Sequence, residues 1–164
     1  MGGEGNILIV DGTPIQTIID RITGCENVME EFPGIEVVGH QASKNDRATG
    51  LTVTTDMLTA TPDVQGIFGM NDPSALGAVL AVEQAGRADD IIVVGIDGSP
   101  EAVEELNRDG SPFVASATQN PAEMVRQAVA VAQQIVEGNP PAEKTILIPS
   151  VIVTRDSVDE YAGW

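Results

Sequence analysis

Cysteine and histidine are nearly absent: Cys25 and His40 are the single examples in 164 residues. One cysteine excludes an internal disulfide, and a histidine with no cysteine near it makes no recognisable metal cluster. Cations are scarce as well. Eight Lys and Arg stand against 25 Asp and Glu, a net charge of −17, and the only lysines are Lys44 and Lys144. Such a chain repels phosphate backbones and anionic lipid, which argues against nucleic-acid and membrane-surface partners. The same charge would serve solubility or adaptation to salt equally well. Aromatic residues make up 3% of the chain, so stacking surfaces are few. No apolar run approaches the roughly 20 residues of a membrane-spanning helix. No charged-then-apolar leader opens the sequence, and "MGGEGN" reads as a fragment start rather than a signal peptide.

The chain does contain a repeated rhythm. Short β-branched runs recur at "NILIVDG" (6–12), "GIEVVGHQ" (34–41), "VQGIFGM" (64–70), "DIIVVGIDG" (90–98) and "PFVASATQ" (112–119). Several are apolar on consecutive residues, which suits strands buried on both faces of a parallel sheet. Between them apolar residues step by three and four. Ile15, Ile18, Ile19, Ile22, Cys25 and Met29 form one such stripe, which makes Cys25 a small buried hydrophobe. Residues 75–82 and 124–136 form others, and 46–60 and 102–106 weaker ones. The alternation predicts an α/β fold: a doubly wound, flavodoxin-like, five-stranded, mainly parallel sheet of order 2-1-3-4-5 with helices on both faces. Residues 1–138 form this single lobe. Residues 139–164 break the rhythm. Pro149 interrupts their apolar run, so the segment is predicted to cross or edge the sheet, packing on the same lobe or on a partner chain.

Four strands run into a polar residue and then proline: Thr13-Pro14, Asp72-Pro73, Ser99-Pro100 and Asn120-Pro121. Thr, Asp, Ser and Asn cap helix N-termini, and proline is favoured at the next position. Gln16 and Glu123 complete capping-box patterns with Thr13 and Asn120. The four junctions therefore bring helix N-termini to one edge of the sheet, outside the strand carboxyl ends, where open α/β sheets bind ligands. Asn71, Asp97 and Gln119 are not needed as caps under this assignment. A carboxylate and two amides on one rim are suited to hydroxyl-rich small molecules, because Asp accepts while Asn and Gln both accept and donate. Ordinary turn chemistry accounts for the same residue types.

"PDVQGIFGMNDPSALGAVLAVEQAG", "IIVVGIDGSPEAVEEL" and "GSPFVASATQNPAEM" together resemble the ribose-type periplasmic sugar-binding proteins and the sugar-sensing core domains of bacterial repressors. "DRITGCENVM" resembles that family's Arg-x-x-Gly-Phe helix, with Cys25 in place of the Phe, and the closing "YAGW" resembles its C-terminus. The resemblance covers nearly the whole chain but about half of the family's usual length. It implies the C-terminal lobe of a two-lobed protein that closes on sugar, with the N-terminal lobe missing. It places Arg21, Asn71, Asp97 and Gln119 against sugar hydroxyls. It puts Asn45, from "SKNDRATG", where the family often has a stacking aromatic. It also implies that helix 121–137 normally packs with the other lobe. Here its apolar stripe must dock on its own sheet or on a second copy.

The resulting expectation is a monosaccharide-binding lobe of a solute-binding protein for an ABC-type transporter, periplasmic or extracytoplasmic in its parent. No cofactor and no catalysis are expected, because neither an activated nucleophile nor an acid/base pair is evident. An alternative is a truncated or engineered lobe whose main property is folding and self-association as a homodimer. Two further alternatives share the fold. A receiver-like signalling domain would use the acidic end of "ILIVDG", but "ATQN" lacks the lysine such a site employs. A flavin carrier would need a phosphate-cradling loop, and Thr13-Pro14-Ile15-Gln16 is too bulky for one.

Overall fold

Residues 1–163 are described by a computed structural model of the chain. Strand and helix alternate five times: β1 (Glu4–Asp11), α1 (Gln16–Met29), β2 (Gly34–Ala42), α2 (Arg47–Ala60), β3 (Gly66–Gly69), α3 (Asp72–Gln84), β4 (Ile92–Asp97), α4 (Pro100–Leu106), β5 (Phe113–Thr118) and α5 (Pro121–Val136). A short β6 (Ile152–Thr154) and a 3₁₀ turn, Val158–Glu160, follow. The sheet order is β2-β1-β3-β4-β5-β6. The first five strands are parallel, in the predicted 2-1-3-4-5 order. β6 adds an antiparallel edge to β5, and Pro149 lies just before it, as a proline beside an edge strand should.

The continuous apolar runs behave as parallel-sheet strands do where the sheet is covered. Ile7 to Val10 of β1 are all buried. β2 departs from that reading. It is the outer strand of the sheet, and no residue of "GIEVVGHQA" is buried, because neither edge position nor burial is encoded in a strand's own composition.

One face of the sheet is closed by α2, α3 and α4. Leu8, Val10, Ile67, Val93 and Phe113 from the strands pack there with Met57, Leu76, Val79, Val82 and Leu106 from the helices. α2 and α3 approach backbone to backbone. A Cβ on Gly77 would lie 2.3 Å from the Arg47 carbonyl oxygen, and one on Gly50 would lie 2.5 Å from that of Ser74. The other face carries a smaller cluster of Ile9, Ile18, Ile22 and Met70, with Phe68 against it. Among the described residues only α1 covers it, and of the α1 stripe only Ile18 and Ile22 are buried. α5 forms as the spacing predicts, yet none of its residues is buried, and Val129 is 62% exposed. The helix does not dock on its own sheet.

The end of the chain returns to the lobe. Thr118 N–H donates to the Val151 carbonyl at 2.8 Å, and Val153 and Val158 enter the closed-face core. The Arg155 guanidinium donates to the carbonyls of Leu106 (3.3 Å), Arg108 (2.9 Å), Phe113 (2.9 Å) and Ser111. No helix among the described residues is long and apolar enough to cross a membrane.

Candidate functional site

Because β1 to β5 are parallel, their carboxyl ends share one edge of the sheet. Two of the four predicted caps form there as expected. Ser99 Oγ accepts from Ala102 N–H (3.2 Å) and Asn120 Oδ1 from Glu123 N–H (2.9 Å). The other two need correction. α3 is capped by Asn71, whose Oδ1 accepts from Ser74 N–H at 3.0 Å, while Asp72 is the first residue of the helix. α1 begins later than Thr13-Pro14 predicts. Its N-cap is Ile15, with no side-chain cap, and Gln16 reaches Asp20 instead of closing a capping box. At α3 the sequence offers two adjacent polar candidates and the turn geometry selects Asn71, whereas α1 starts past Thr13 and uses no side-chain cap.

The five predicted site residues lie on this rim in two linked groups. Arg21 points from the second turn of α1 toward the ends of β3 and β4. Its Nη1 donates to the Met70 carbonyl at 2.9 Å, and its Nη2 lies 3.0 Å from Asp97 Oδ1. The same carboxylate oxygen accepts from Gln119 Nε2, while Gln119 N–H donates to the Asp97 carbonyl at 2.8 Å. The Arg21 and Asp97 side chains keep 14% and 16% of their surface exposed, so the pair is largely desolvated but still reachable. The second group starts from Asn71, whose Nδ2 donates to the Asn45 carbonyl at 3.1 Å. Asn45 Oδ1 in turn accepts from Thr13 N–H at 2.8 Å. Met70, bonded by Arg21, immediately precedes Asn71 and joins the two groups.

Two of these residues have left-handed backbones without being glycine: Asn45 at φ 66° and Asp97 at φ 145°. Asn tolerates this region because its short amide bonds locally. At Asp97 the conformation is strained, of a kind that persists only where the surroundings hold it.

The remaining hydrogen-bonding capacity defines what the rim can do. Arg21 uses two of its guanidinium donors on protein. Asn71 uses one N–H and one oxygen lone pair, so it keeps one more of each. Asp97 gathers an arginine and an amide on Oδ1, and its Oδ2 accepts from the Asp72 backbone N–H at 3.4 Å. A ligand with neighbouring hydroxyls matches this mixture of fixed donors and acceptors. Among the described residues no group of three His, Cys, Asp or Glu could hold a metal ion.

Sequence reasoning missed two side-chain pairs at the rim, Asp11–His40 and Ser43–Ser74. Asp11 Oδ2 lies 3.0 Å from His40 Nε2 at the same rim. Buried Ser43 bonds Ser74 side chain to side chain at 2.9 Å and donates to the Asp11 carbonyl. The acidic end of "ILIVDG" was a visible signal, but only the β1–β2 register brings His40 to it. Cys25 is half-buried, and burial, reinforced by Glu26, pushes its thiol up to about 11. It lines an apolar groove of about 560 Å³ on the α1 face, together with Val28, Phe68, Val94 and Ile96. That groove adjoins the rim through Arg21, which lines both, and apart from Arg21 and Asp20 its lining is apolar.

With this geometry in place, the comparisons with known proteins agree with one another. A periplasmic binding protein domain matches residues 1–140. The ribose import binding protein of Salmonella typhimurium is 41% identical over 102 residues, 62% of this chain and 33% of that protein. The Bacillus subtilis ribose import binding protein is 30% identical over 156 residues, 94% of this chain and 49% of that protein. A solved ABC-transporter periplasmic solute-binding protein from Actinobacillus succinogenes, with bound D-allose, superposes with a TM-score of 0.91 at 32% identity, covering 98% of this chain and 56% of that one. The chain thus spans between a third and about half of these relatives' lengths, and they are binding proteins of transport systems, not enzymes. On the match over residues 1–140, the chain belongs to the periplasmic binding protein domain family.

Proposed function

We propose that the chain is one lobe, residues 1–138 with the returning segment 139–164, of a two-lobed solute-binding protein that delivers a monosaccharide to an ABC-type transporter outside the cytoplasm. The observation that carries this reading is the Arg21–Asp97–Gln119 cluster on the strand-end rim, in a chain similar to ribose- and allose-binding proteins. In it Arg21 donates to ring and hydroxyl oxygens, Asp97 accepts from two neighbouring hydroxyls, and Asn71 and Gln119 each do some of both. Asn45 replaces a stacking surface with a polar one, so apolar contact with the sugar ring falls to the other lobe. A lone lobe supplies only part of the contacts and leaves the site wet. Its affinity for D-ribose or D-allose is therefore expected in the millimolar range or weaker, on the order of 4 kcal/mol or less of binding free energy. Calorimetric titration of this chain beside a two-lobed version tests the reading. Tight binding by the two-lobed form, lost on Asp97→Ala, supports it. A two-lobed form indifferent to every pentose and hexose refutes it.

A second reading describes the isolated chain. α5 buries none of its apolar stripe, and the groove on the α1 face is open. Exchange of α5 between two copies would cover both surfaces at once, twice over. At −17 per copy, such a dimer is expected to strengthen with salt. Light scattering that finds a monomer at all salt concentrations rejects it.

A further inference from the structure

Asp72 has no evident task. Asn71 caps α3, so the Asp72 carboxylate is not needed there, yet it is completely buried. Burying a carboxylate is strongly unfavourable unless its oxygens are hydrogen-bonded, and here each one is. Oδ2 accepts from Ser99 N–H at 2.8 Å, and Oδ1 accepts from Ser116 Oγ at 2.7 Å. Ser116 Oγ in turn accepts from Gly98 N–H at 3.0 Å. The carboxylate occupies space that only a glycine leaves open, since a Cβ on Gly95 would lie 2.4 Å from Oδ1. The bonds converge on Gly98 and Ser99, the two residues that follow the strained Asp97. Tyr161 closes the loop from the other side by donating to the Gly98 carbonyl at 3.1 Å. Burial, with the Asp97 charge added, raises the Asp72 carboxyl above its ordinary range, and the bonds from Ser99 and Ser116 oppose that rise.

We propose that Asp72 is a positioning residue: through Ser99, Ser116 and Gly98 it holds the β4–α4 loop in the left-handed turn that aims the Asp97 carboxylate at Arg21 and the rim. The Asn-Asp pair at the end of β3 then divides its labour. Asn71 stays at the rim, and Asp72 works from inside the protein on a different strand. The role of Asp72 in ligand recognition rests on the function proposed above, whereas its role in shaping the loop does not.

The test uses this chain and two variants, Asp72→Asn and Ser116→Ala, and reads amide hydrogen exchange together with the carboxyl-carbon resonance of Asp97. Asp72→Asn presents an NH₂ or a single acceptor where two donors converge. Ser116→Ala removes the bridge without touching a charge and keeps the test open should the first variant fail to fold. The expected result is exchange at Gly98 and Ser99 at least about tenfold faster, with β1 amides unchanged, and a displaced Asp97 resonance. Unchanged exchange at both amides in a folded variant overturns the proposal. A second arm follows D-allose titration by chemical shift in the unaltered chain, Asp72→Asn and Ser116→Ala. If the loop aims Asp97 at the sugar, both variants weaken the titration several-fold, and an unchanged titration in a folded variant whose Gly98 and Ser99 exchange has risen overturns the role in recognition. If the unaltered chain shows no sugar-dependent shifts while Gly98 and Ser99 respond as expected, the loop role stands and the proposed function is what has failed.

Discussion

The two faces of the sheet were built from similar material and ended differently. On the closed face, α2, α3 and α4 bring Leu76, Val79, Leu106 and Phe113 together with at most a few percent of their surface exposed. On the other face, α1 buries only two isoleucines, and a groove of about 560 Å³ runs beside it. α5 has as regular an apolar stripe as any helix in the chain, but it lies away from that groove. Apolar periodicity therefore announces that a helix needs a partner without saying which one. On the closed face the partner is in the same chain. For α5 the proposed parent would supply it from the absent lobe.

The largest effect expected is on the closed face. Phe113→Ala, at a fully buried site, should lower unfolding free energy by about 3–5 kcal/mol in urea titrations. A loss under about 1 kcal/mol would mean that the closed face is no better packed than the open one. Next comes the edge. Arg155→Ala removes charge-assisted bonds to four carbonyls around β5, and should cost about 1.5–3 kcal/mol. Limited proteolysis should then cut the C-terminal segment faster.

Asp72 gives a smaller, pH-dependent term. Its folded-state carboxyl is raised by burial and by the facing Asp97, so the folded state binds this proton more tightly than the unfolded chain does. The stability this contributes is fully present below the ordinary carboxylate range and is lost as pH rises through the raised value. Asp72→Asn lacks the term. The stability of the unaltered chain minus that of the variant should therefore fall as pH rises from the acid range to neutrality, and a difference that grows would contradict the burial. The smallest effect belongs to α5. Val125→Ser with Val129→Ser, both exposed, should change monomer unfolding by less than about 0.5 kcal/mol. A loss of several times that would show that α5 docks on the lobe in solution and would erase the contrast between the faces.

Much of the rim was legible because capping chemistry is local. Ser99 and Asn120 cap as their sequences say. At the Asn71–Asp72 pair the sequence favours Asp72 as the cap and the structure uses Asn71. Both side chains are capable caps, and only the turn into α3 decides which oxygen meets Ser74 N–H. That reversal hid the more informative residue. Asp72 reads as a routine cap in the sequence, while its partners Ser99 and Ser116 come from β4 and β5 territory and are invisible until the strands are ordered. His40 meeting Asp11 has the same origin.

By itself the sequence determined the element types and the fact that strand ends and helix starts share one edge. Those properties follow from local spacing, capping and the handedness of crossovers, which act over a few residues or one βαβ unit. Only the tertiary structure decided that Arg21 faces Asp97, that Asp72 is buried, and that α5 is left uncovered. These depend on which surfaces of distant segments meet, and burial is a property of the pair, not of either segment alone.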